Sequence, residues 1–120
     1  MGDRRIAQVI TDKGTLYVYT HWCGEAFPRM AEAAILASEP RWDDHPYALR
    51  IIVDQLTKPG RDRELGFGLL FTLDAEDDEY ATQTMGRASI IIDLVGKTLT
   101  VHEGQGVFEN SFENIASRSG

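Results

Sequence analysis

Cysteine is almost missing from the sequence, with Cys23 the single example in 120 residues. That excludes an internal disulfide framework and any metal site built from thiolates alone. Histidine is scarce too. No two of His21, His45 and His102 stand at ligand spacing, so no metal and no cofactor are assigned. No apolar run approaches the roughly 20 residues of a membrane span. The first residues carry charge early and turn apolar too briefly for a secretory signal. The expectation is a cytoplasmic protein without membrane contact. Basic residues are few, 12 Lys and Arg against 19 Asp and Glu, for a net charge of −7. Residues 1–60 carry 7 bases and 8 acids, whereas 61–120 carry 5 and 11. A field of that sign repels phosphate, which disfavours direct nucleic-acid binding and favours a basic protein partner. The same charge also serves solubility.

A hydrophobic content of 42% is enough for one globular domain over residues 1–120, with 117–120 expected to fray. Its organising stretch runs from Leu16 to Glu25. Alternation puts Leu16, Val18, Thr20 and Trp22 on one side of a strand and Tyr17, Tyr19 and His21 on the other. Tyrosine joins a large apolar body to a hydrogen-bonding tip, so the second side suits a ligand as well as water. The strand breaks at Gly24 into a helix. Unpaired N–H groups at such a corner favour binding, and a thiolate at Cys23 would be favoured by a helix start. A lone buried thiol acting as a small hydrophobe is the preferred account of Cys23.

The segment Tyr19-Thr20-His21-Trp22-Cys23-Gly24, followed by an Ala-rich helix and by Arg41-Trp42-Asp43-Asp44, resembles small uncharacterised proteins of actinobacteria and their phages. Those proteins carry a Tyr-Thr-His-Trp-Gly-Gly-like segment and a downstream Arg-Trp-Asp/Asn-Asp. The likeness spans residues 14–57 and implies a phage or mobile-element association without an activity. Cys23 stands where that group has Gly, which counts against a catalytic thiol.

The remaining elements follow from periodicity. Ile6 to Thr11 reads as a strand joined in a hairpin to the next by Thr11–Thr15. Phe27, Met30, Ala31, Ala34 and Ile35 recur at helical spacing, with Pro28 in the first turn and Pro40 as a stop. Asp43 or Asp44 is placed to cap a second helix carrying Ala48, Leu49, Ile52, Val53 and Leu56. Leu65 to Leu73 alternates most strongly and is expected to be a central strand. Asp74 to Glu79, with five acids in six residues, reads as a solvated loop, and Tyr80 to Met85 as a short strand. Gly96-Lys97 is expected to be a two-residue hairpin loop. Phe108, Phe112 and Ile115 stand at helical spacing in the tail. The sum is an α+β domain: an antiparallel sheet of about five or six strands, in the order β-β-α-α-β-(β)-β-β, with two helices on one face.

Candidate binding residues are Tyr17, Tyr19, His21, Trp22, Arg41 and Trp42; no catalytic residue is assigned. The functional expectation is a small acidic, non-enzymatic binding or inhibitor protein. It would act on a protein partner or sequester a small nucleotide-like ligand, with aromatic rings for a base and Arg41 for a phosphate. The alternative is a Cys/His or metal-dependent hydrolase or transferase. A homodimer through an edge strand stays open.

Overall fold

The computed structural model describes residues 5–20, 26–60, 67–73, 79–80, 82–83, 88–103 and 106–119. Among the described residues the bounded strands and α-helices are, in chain order, β1 (Arg5–Ile10), β2 (Thr15–Thr20), α1 (Phe27–Ala37), α2 (His45–Thr57), β3 (Phe67–Thr72), β4 (Ile90–Asp93), β5 (Thr98–Glu103), β6 (Gly106–Ser111) and α3 (Phe112–Ser119). Together they make an α+β fold on one sheet, ordered β3-β2-β1-β4-β5-β6. Every neighbouring pair is antiparallel except β1 and β4, which run parallel. The sheet is therefore mixed.

The β1–β2 hairpin forms as its sequence dictates. Thr11 builds the turn: its Oγ1 accepts from the N–H groups of Lys13 and Gly14 and donates to the Gly14 carbonyl. With Val9 opposite Leu16 and Ala7 opposite Val18, these apolar side chains fall on one face. Ile90, Ile92 and Leu99 extend that face, and the helices cover it with Phe27, Ala31, Ala34, Ile35, Ala48, Ile52 and Leu56. Ala31, Ala34 and Ala48 are fully buried, because side chains of one carbon let the helix axes come close to each other and to the sheet.

α1 carries Pro28 in its first turn, where no amide is missed, and ends at Ser38. Ser38 is buried, and its hydroxyl donates to the Ile35 carbonyl. Pro40 falls in a 3-10 turn, Glu39–Arg41, beyond that end. Asp44 caps α2 by accepting from the Tyr47 N–H. A second small cluster, Ile6 and Tyr17 with Tyr19, Leu70 and Ala88, lies on the opposite face of the sheet.

Four expectations are corrected. β3 is an edge strand, because β2 is flanked by β1 on its other side and no described strand pairs beyond β3. Its alternation reported extended backbone, while its rank in the sheet was set by distant pairing. The β4–β5 connection has four residues, Leu94–Lys97, where two were expected. Leu94 is held in the core and by its N–H to the Ile10 carbonyl, so the chain turns later. Asp93 Oδ1 accepts from the N–H groups of Val95 and Gly96, and Lys97 takes φ 55° to close the turn. In the tail, Phe108 belongs to β6 and only Phe112 and Ile115 share a helix, since β5 offers an edge on which residues 106–111 pair. Of the expected strand from Tyr80 to Met85, the described residues 80, 82 and 83 are helical. Asp74 to Asp78 lie outside the described residues.

Candidate functional site

The residues singled out in the sequence divide between two faces. Tyr17 is only 2% exposed, packed with Ile6, and its hydroxyl accepts from Gln8 Nε2 at 3.4 Å. Its ring is part of the packing. Tyr19 is half-buried in the same cluster. Arg41 and Trp42 belong to the helix side. The Trp42 indole donates from Nε1 to the Ile35 carbonyl at 2.9 Å, and its ring lies 5.0 Å from that of Phe112. Trp42 thus ties the end of α1 to α3. Arg41 is exposed and places its guanidinium 4.6 Å from the centre of the Tyr47 ring, with Arg50 at 5.8 Å from the same centre. Tyr47 was not singled out in the sequence, although its spacing of three from Arg50 on α2 was a readable signal.

The loop after α1 sits beside the β1–β2 turn, through His45 and Asp12. β2 leaves toward residue 21 at its other end, a strand length away. Arg41 and Trp42 are therefore neighbours of each other and not of Tyr17 or Tyr19. His21, Trp22 and Cys23 lie outside the described residues.

Near that turn an open cleft of about 370 Å³ is lined by Asp12, Asp43, Asp44, His45 and Pro46. Its acids are engaged within the fold. Asp44 serves as the cap of α2, and Asp43 meets Lys97 Nζ at 2.8 Å. The hydrogen bond and charge of Lys97 hold the Asp43 carboxyl below its ordinary value. His45 Nδ1 lies 3.1 Å from both the Asp12 N–H and Asp12 Oδ1. With Nδ1 bare the ring accepts from the amide, and with Nδ1 carrying a proton it donates to the carboxylate. Among the described residues no group of three or more His, Cys, Asp or Glu is arranged to hold a metal.

The more unusual surface is the outer edge of β3. The Thr11 N–H donates to the Gly14 carbonyl at 2.9 Å, which sets the alternation of the β1–β2 ladder. Thr15, Tyr17 and Tyr19 then turn their backbone groups toward β3, where they meet Thr72, Leu70 and Gly68. The N–H and C=O groups of Phe67, Leu69 and Phe71 consequently point outward. The side chains of these three residues lie on the helix face of the sheet, opposite Thr20, Val18 and Leu16. The helices do not reach that far: Leu69 is 57% exposed, Phe71 45% and, just beyond the strand, Leu73 72%. A groove of about 160 Å³ continues the apolar surface from Phe71 to Pro46 and Leu49.

The other edge, β6, differs in kind. The Phe112 N–H donates to the Lys97 carbonyl at 2.9 Å, which directs Asn110 and Phe108 toward β5. Val107 and Glu109 therefore present their backbone outward. A carboxylate on an edge strand hinders further pairing, whereas residues 67–73 contain no charge. The sequence held the composition of both strands, but which strands would be edges was decided by pairing.

No family model, no curated protein and no solved structure matches the chain. Among the described residues, no helix is long and apolar enough to cross a membrane.

Proposed function

We propose that this chain is a non-enzymatic binding protein that takes an extended polypeptide segment against the outer edge of β3. The observation that carries the reading is the uncharged strand Phe67–Thr72 with Leu69 and Phe71 exposed beside outward backbone groups. Addition of a strand to a sheet edge gains main-chain hydrogen bonds, and alternate side chains on one face supply selectivity. Here those contacts would be made by Leu69 and Phe71, with Leu73 and the groove beside Leu49 widening the apolar patch. The net charge of −7 favours segments with basic residues flanking an apolar centre. Tyr17 has no role in this reading, since its ring is packed away.

Selection from a random-peptide display library tests it. Enriched peptides should alternate apolar residues, carry flanking Lys or Arg, and lose binding to Leu69→Lys while keeping it to Val107→Lys. An absence of enrichment, or enrichment indifferent to Leu69, refutes the reading.

A further inference from the structure

We infer that one occupant of this edge is a second copy of the same chain, joined β3 to β3 in antiparallel fashion so that two sheets become one. The inference rests on the β3 edge being the binding surface. Its basis is self-complementarity. A two-fold axis perpendicular to the sheet at Leu69 sets Leu69 against its symmetry mate and Phe67 against Phe71 of the other copy. All three of these residues have outward backbone groups, so each opposed pair is a hydrogen-bonded one, and all their side chains fall on the same face. Leu69 and Phe71 of both copies then form a continuous apolar ribbon in which each side chain covers part of what its neighbour in the other copy leaves exposed.

Charge selects this edge over the other. Two copies that each carry −7 repel, and contact is least opposed where no charge is present, as in residues 67–73. The same operation at β6, centred on its outward residue Glu109, brings two carboxylates directly opposite each other. Pairing β3 of one copy with β6 of the next leaves free edges at both ends and builds an open chain, whereas β3 with β3 closes at two. The patch of Leu69, Phe71 and Leu73 is smaller than the roughly 800 Å² per partner of a standard interface, so association in the micromolar range is expected.

Sedimentation velocity on the full chain, from about 5 to 500 µM, reads the outcome directly. The sedimentation coefficient should rise with concentration toward that of a dimer and no further. Leu69→Lys and Leu69→Glu should each weaken association at least tenfold with an unchanged far-UV circular dichroism spectrum. Mixing these two variants should restore association, a result that misfolding cannot produce, and Val107→Lys should leave the dimer intact. A wild-type chain that stays monomeric throughout overturns the inference, as does a dimer indifferent to Leu69, one lost in Val107→Lys, or no recovery on mixing. A monomer that still binds selected peptides through Leu69 removes only the second copy, whereas loss of both peptides and self-association removes the edge reading as well.

Discussion

Replacing Phe112 by alanine removes the side chain that fastens α3 to the rest of the molecule. α3 is an 8-residue helix, too short to persist alone in water. It is held by Phe112 and Ile115, fully and almost fully buried, and by the Phe112 N–H on the Lys97 carbonyl. The Arg118–Glu32 pair at 3.2 Å joins two exposed or half-exposed side chains and adds little. Burial of a phenyl ring together with the cavity left by its loss sets the cost at about 3–5 kcal/mol. That is a large share of the 5–15 kcal/mol typical of a whole domain. For a chain of this size the melting temperature should fall by ~10–20 °C.

Urea denaturation followed by far-UV circular dichroism measures the change. Because the Trp42 ring lies 5.0 Å from Phe112, its fluorescence should shift toward that of a more exposed indole even before unfolding. Glu113→Ala, at the next and exposed position, removes a carboxylate from the first turn of α3 and should cost no more than ~1 kcal/mol. A Phe112→Ala variant that loses less than ~1 kcal/mol would refute the view that α3 closes this end of the core, since even partial relaxation leaves more than that.

Two further effects follow from local geometry. Asp44→Ala removes the carboxylate that accepts from the Tyr47 N–H at 3.4 Å, and a bond of that length places the loss near the low end of the cap range, ~0.5–1 kcal/mol by urea denaturation. Because Lys97 holds the Asp43 carboxyl below its ordinary value of 3.8, the pair's contribution is present above that pH and is lost as pH falls through the lowered value. Carboxyl NMR titration should therefore show the Asp43 midpoint rising toward 3.8 in Lys97→Gln, and an unmoved midpoint would deny the pairing.

Residues that act on their near neighbours in the chain were legible before any tertiary structure. Thr11 and Gly14 announced the first turn, Pro28 and the pair Asp43-Asp44 the starts of two helices, and Leu16 and Val18 a buried face, because each works over a few bonds. The candidate site was less legible. Tyr17 looks like a surface aromatic by alternation, yet the chain returning through Ala88 packs against its cluster. Trp42 reads as a candidate binding residue, yet its indole N–H is taken by a carbonyl seven residues earlier because the loop folds back along α1. Phe108 and Phe112 share a spacing of four, but the free edge of β5 draws the first into a strand.

By itself, then, the sequence determined the α+β class, the periodicity of α1 and α2 and the acidity of the surface, all of which depend on composition and on contacts a few residues apart. Only the tertiary structure decided that β1 and β4 lie parallel at the centre and that β3 lies at the rim. Strand rank depends on which distant partner supplies hydrogen bonds. An alternating apolar segment such as Phe67–Thr72 satisfies the middle and the margin of a sheet equally well, and here it stands at the margin, with Leu69 facing solvent.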